Sequence, residues 1–82
     1  MKTRICISSP PDREHLVAEI FFDDEQFAEV NIEGAAFEIE IYPRQNCLPW
    51  MVPFDCVAEA LADAKSRLRT ATSQSYLDSP PS

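Results

Sequence analysis

Apolar and polar residues alternate through three consecutive stretches of the chain, LVAEIFF (16–22), FAEVNIE (27–33) and AFEIEIY (36–42). All three are rich in Ile, Val and Phe, and a period of two in such segments predicts half-buried β-strands. In the third stretch Phe37, Ile39 and Ile41 share one side, with Glu38, Glu40 and Tyr42 on the other. In the second, Ala28, Val30 and Ile32 oppose Phe27, Glu29, Asn31 and Glu33. Setting Ile32 across from Phe37 leaves a two-residue loop, Gly34-Ala35, with the only glycine of the chain at its first position. A type II′ hairpin turn needs φ > 0 there, so register and glycine predict the same turn. In the first stretch Leu16, Ala18, Ile20 and Phe22 are assigned to the core, and Val17, Glu19 and Phe21 to the outer face. The polar connection Asp23-Asp24-Glu25-Gln26 holds no glycine and leaves the register of that hairpin open. An earlier strand over about 2–8 buries Ile5 and Ile7, and Ser8-Ser9-Pro10-Pro11-Asp12 reads as a loop.

Pro43, Pro49 and Pro53 interrupt any regular element after the third stretch. Trp50, Met51 and Val52 lie among them and are expected to pack onto the sheet or beneath a helix, Trp50 as a lid on the core. That helix is predicted from Pro53 or Asp55 to Arg69, because Val57, Ala60, Leu61, Ala64 and Leu68 recur on one face. Asp55 and Glu59 near its start and Lys65, Arg67 and Arg69 near its end match the macrodipole, and Asp63 and Arg67 form an i,i+4 pair. Residues 70–82 have little to bury and are expected to form a disordered tail behind a single domain over 1–69. The predicted fold class is α+β: a four-stranded antiparallel meander sheet with one C-terminal helix packed on one face.

Composition agrees with one small globular domain: 82 residues, 45% hydrophobic and 26% charged. Charge changes the picture more. The net charge is −7, and residues 12–40 hold ten acids against one base, Arg13. Such a chain is repelled by phosphate backbones and anionic lipid surfaces, so neither nucleic acid nor membrane is expected as a partner. LVAEIFF is too short to span a bilayer, and Lys2 and Arg4 precede no signal-peptide apolar region, which leads to the expectation of a cytoplasmic protein.

Candidate chemistry is sparse. Cys6, Cys47 and Cys56 read as free thiols; with His15 they lack metal-ligand spacing, so no metal is expected. A single glycine excludes Gly-rich nucleotide loops, and no cofactor is implied. Glu29 and Glu40 could pair as acid and base but have no indicated pocket or second functional group, Cys6 and His15 could approach as a dyad but lack an orienting third group, and Cys56 sits near a helix start but beside Asp55, which opposes an activated thiolate. No catalytic residue is assigned and no enzyme is expected. What stands out is the outer face. The hairpin register sets Glu29 opposite Glu40, Asn31 opposite Glu38 and Phe27 opposite Tyr42, with Glu19 on the neighbouring strand. Like charges placed directly opposite destabilise a strand pair. The plain alternative is a solvated face. The functional reading takes Glu19, Phe21, Phe27, Glu29, Glu38, Glu40 and Tyr42 as a docking surface for a basic protein.

The run LVAEIFFDDEQFAEVNIEG followed by AFEIEIYPR, LPW and PFDCVAEALADAKSRL resembles small immunity proteins of bacterial contact-dependent and polymorphic toxin systems. The resemblance covers residues 14–68 and lies in element order and in the strings VAEI, FEIEIYPR and DAKSRL. It implies a small, acidic, cytoplasmic, non-enzymatic protein that binds a cognate toxin domain and covers its active site. The Asp23-Asp24 turn departs from the glycine-containing turn expected there. The alternative is a structural subunit that self-associates as a homo-oligomer with no toxin partner.

Overall fold

The structure is a computed structural model; it describes residues 1–12, 14–34 and 36–77, with side chains as far as Thr72. Four strands, β1 (Thr3–Ser8), β2 (Val17–Phe22), β3 (Glu25–Asn31) and β4 (Glu38–Ile41), precede one helix, α1 (Phe54–Leu77). The sheet order is β1-β2-β3-β4 and each neighbouring pair is antiparallel. The helix lies across β1, β2 and β3. This is the α+β meander that the periodicities predict.

The third and fourth strands take the predicted register, Glu29 opposite Glu40 and Asn31 opposite Glu38. Their loop does not take the predicted form. The ladder stops at Asn31, and Gly34 has no positive φ, so the type II′ turn is absent. Ala35, its second central residue, lies outside the described residues. Instead the Glu33 N–H donates to the Asn31 side-chain carbonyl at 3.2 Å. A local side-chain bond of this kind offers the backbone an alternative to the ladder and ends the strand early.

The tight turn sits one hairpin earlier. Phe22 and Glu25 pair directly, and Asp23 and Asp24 between them have φ of 50° and 68°. Positive φ at both central residues marks a type I′ turn, which the twist of the flanking strands favours and which aspartate tolerates better than most residues. Asp23 also clamps the chain start: its N–H donates to the Lys2 carbonyl and its carboxylate accepts from the Lys2 N–H, both at 2.8 Å.

A β-bulge divides β2 from β3. Ile20 pairs with Ala28 but Phe21 pairs with Gln26, leaving Phe27 as the extra residue. Phe27 therefore does not lie on the outer face where strict alternation puts it. It is 7% exposed and packs in the core, its ring 5.0 Å from that of Phe22 and 5.2 Å from that of Trp50. A bulge lets two consecutive residues serve the same side of a sheet, which a period-two reading has no way to register.

The core joins Ala18, Ile20, Phe22, Phe27, Ala28 and Val30 of the sheet to Ala60, Ala64 and Leu68 of the helix. Alanines at the contact let the helix axis approach the strands. The carbonyl of Pro53, the residue before the helix, accepts from the Cys56 and Val57 N–H groups at 3.0 and 3.3 Å and so takes up the first bonds of α1. Asp63 and Arg67 pair at 3.1 Å as the spacing predicts, an exposed contact contributing only about 0.3–0.5 kcal/mol. The helix continues past Arg69 to Leu77, where a tail is predicted; no Gly or Pro interrupts 70–77, and propagation of a formed helix adds one bond per residue. Residues 78–82 of that tail lie outside the described residues.

Trp50 is the lid expected of it. Its indole N–H donates to the Tyr42 carbonyl at 2.8 Å, its ring meets Phe22 and Phe27 edge-on, and Arg44 lies 5.3 Å over its face. Met51, expected to pack beside it, is 82% exposed. Ile39 and Ile41 also depart from expectation. They lie on the helix side of β4, but the helix stops short of that strand, and they remain 43% and 57% exposed.

Candidate partner-binding surface

Away from the helix, register places Cys6, Glu19, Glu29 and Glu40 in one row across all four strands. Three adjacent carboxylates therefore cross the sheet, with Glu38 beside them on β4. The row is not uniform. Glu29 at its centre is 7% exposed and accepts from the Tyr42 hydroxyl at 3.4 Å, so it cannot itself be a broad contact. Glu19 is half-buried and accepts from the Gln26 amide at 3.4 Å. Glu38 and Glu40 are exposed.

Aromatic side chains frame this surface less openly than the sequence suggests. Phe21 is half-buried, with the Arg4 guanidinium 4.4 Å over its ring. Tyr42 is half-buried and turned toward Glu29. Phe27 belongs to the core on the other side. Of the seven predicted contact residues, Glu19, Glu38, Glu40, Phe21 and Tyr42 remain accessible to a partner; Glu29 and Phe27 do not.

Other acids of the 12–40 region have structural tasks. Glu25 accepts from the Arg44 side chain at 3.3 Å and from the Gln45 N–H at 3.1 Å, holding the segment after β4 against the sheet. Asp24 stands 4.0 Å from Arg4, and Glu33 accepts from the His15 N–H at 3.5 Å.

Cys6 faces Glu19, whereas His15 precedes β2, four residues further along that strand, roughly 13 Å at strand rise. Cys6 and His15 are therefore not brought together as a dyad. The three cysteines are free, Cys47 exposed and Cys6 and Cys56 half-buried. His15 instead stands with Glu14 and Glu33, one ligand atom from each lying within 4.8 Å of the others. One imidazole and two carboxylates could hold a divalent cation, a grouping hidden in the sequence because Glu33 comes from a different loop. All three are exposed loop side chains that would lose rotamer freedom on ligating, so the trio makes no site by itself. An open groove between β1 and α1 is lined by Arg4, Cys56, Glu59, Asp63 and Arg67, among others, and mixes both charge signs.

Among the described residues no helix is long and apolar enough to cross a membrane. No family model matches the chain, and no curated protein or solved structure matches it either.

Proposed function

We propose that this chain is a non-enzymatic binding protein that captures a basic protein domain on the acidic side of its sheet. Following the sequence resemblance, the partner is a cognate toxin, and the chain is a cytoplasmic immunity protein that occludes a basic active-site cleft. The observation that carries the reading is the row of Glu19, Glu29 and Glu40 across three adjacent strands, flanked by Glu38. Clustered charge on one surface steers an oppositely charged partner and raises its association rate. A cleft that binds nucleic acid or nucleotides presents the positive potential that such a surface complements.

The contact set differs from the seven residues marked by alternation. Glu19, Glu38 and Glu40 meet the partner; Phe21 and Tyr42 supply apolar area at the margin; Glu29 positions Tyr42. The test immobilises the full chain, isolates its tight partner, and measures binding kinetics at two ionic strengths. The Glu19→Lys, Glu38→Lys, Glu40→Lys variant should associate at least tenfold more slowly at low salt, with a weaker salt dependence. Equal rates and affinity at both ionic strengths would leave the acidic side as a solvated face.

A further inference from the structure

We infer that the open edge of β4 takes up an extended, antiparallel strand of the partner in which basic residues alternate with apolar ones; this rests on the reading of the partner as a basic protein domain. β4 ends the sheet, and among the described residues no strand lies beyond it. In an antiparallel pair, hydrogen-bonded positions alternate with positions whose backbone groups turn away. The Tyr42 N–H donates to the Phe27 carbonyl at 2.9 Å, so Tyr42 is a bonded position, and in the same register so are Glu40 and Glu38. The N–H and C=O groups of Ile39 and Ile41 consequently point away from β3, toward the open edge.

The same two residues carry the exposed apolar side chains, 43% and 57% accessible, on the helix side of the sheet beyond the helix. Glu38 and Glu40 are exposed on the opposite side. A strand docking here meets three requirements together: ladder groups in line, an apolar strip below and carboxylates above. Main-chain bonds would supply affinity, and the alternating side chains would supply selectivity.

Charge decides which strand. A second copy could pair β4 with β4, but setting Ile39 opposite either Ile39 or Ile41 of that copy puts glutamate against glutamate on the acidic side. Like charges directly opposite destabilise the pair, whereas Lys or Arg at those positions reverses the sign. The same acids discourage edge-to-edge self-pairing, as charged edge residues do in other sheets.

The test uses the full chain and a capped six-residue peptide alternating Lys and Val. Controls are a peptide of the same composition with three Lys followed by three Val, and alternating peptides N-methylated at every Val or at every Lys. In that antiparallel pairing Val occupies the hydrogen-bonded positions opposite Ile39 and Ile41, so Val methylation should weaken binding at least tenfold while Lys methylation leaves it unchanged; the reverse dependence would overturn the antiparallel orientation. The block-ordered peptide should also bind at least tenfold more weakly. Amide exchange at Ile39 and Ile41 should slow at least tenfold with the alternating peptide, and Ile39→Pro should abolish its binding. Methylation acts on the peptide, so that arm stands even if the proline variant unfolds. Equal binding of the block-ordered or Val-methylated peptide, no added protection at Ile39 and Ile41, or protection by concentration-dependent self-association without peptide would each overturn strand addition. If Glu38→Gln, Glu40→Gln weakens binding while Val methylation does not, acidic capture survives and the edge mode falls. Loss on Val methylation with no effect of the Gln substitutions would overturn the requirement for a basic strand, and with it the acidic reading.

Discussion

Tyr42 and Phe27 share a 2.9 Å backbone hydrogen bond across β3 and β4, yet their side chains end on opposite sides of the sheet. The Tyr42 hydroxyl reaches Glu29, while the Phe27 ring packs against Phe22 and Trp50. The bulge opposite Ile20 and Phe21 separates them. Phe27→Ala should therefore behave as a core truncation and destabilise by about 3–5 kcal/mol. Urea denaturation checks this, since a solvated outer-face residue would change stability by less than about 0.5 kcal/mol.

The β2–β3 and β3–β4 loops should respond to substitution in opposite ways. Asp24 has φ of 68°, so Asp24→Gly should stabilise by about 0.5–1 kcal/mol and Asp24→Val should destabilise by more than that. Gly34 has no positive φ, and a Cβ there would press only on the flexible end of the Glu38 side chain. Gly34→Ala should leave the thermal midpoint within a few degrees of the parent, whereas a type II′ turn would make that substitution costly.

Trp50→Phe keeps an aromatic ring over Phe22 and Phe27 but removes the N–H donated to the Tyr42 carbonyl at 2.8 Å. The expected loss is about 1–2 kcal/mol, the usual consequence of removing one partly buried hydrogen bond. Chemical denaturation of Trp50→Phe beside Trp50→Ala separates this bond from the packing of the ring. A Phe variant as unstable as the Ala variant would assign Trp50 to the hydrogen bond alone.

Charge on β4 should act on encounter. Glu38→Gln, Glu40→Gln should slow association with the isolated partner at low salt, and the difference from wild type should shrink as the Debye length falls from about 10 Å at 0.1 M to about 3 Å at 1 M. Stopped-flow mixing across that range checks it. A rate difference that persists unchanged at 1 M would point to a lost short-range contact instead.

The sequence by itself determined the elements, the outermost register and the helix face. Ile39 opposite Val30, Glu40 opposite Glu29, and Ala60, Ala64 and Leu68 buried against the sheet all follow from local periodicity, which each segment carries within itself. Tertiary structure alone decided how far the helix reaches across the sheet, and thus that Phe22 is buried while Ile39 and Ile41, equally apolar and on the same side, stay accessible. It also decided that Phe27 turns inward, because one extra residue on β3 depends on how β2 pairs with it, and that Glu29 lies nearly covered beneath Tyr42 while Glu40, its partner across the ladder, is exposed. Alternation specifies which side of a strand a residue occupies; burial depends on what other parts of the chain bring to that side.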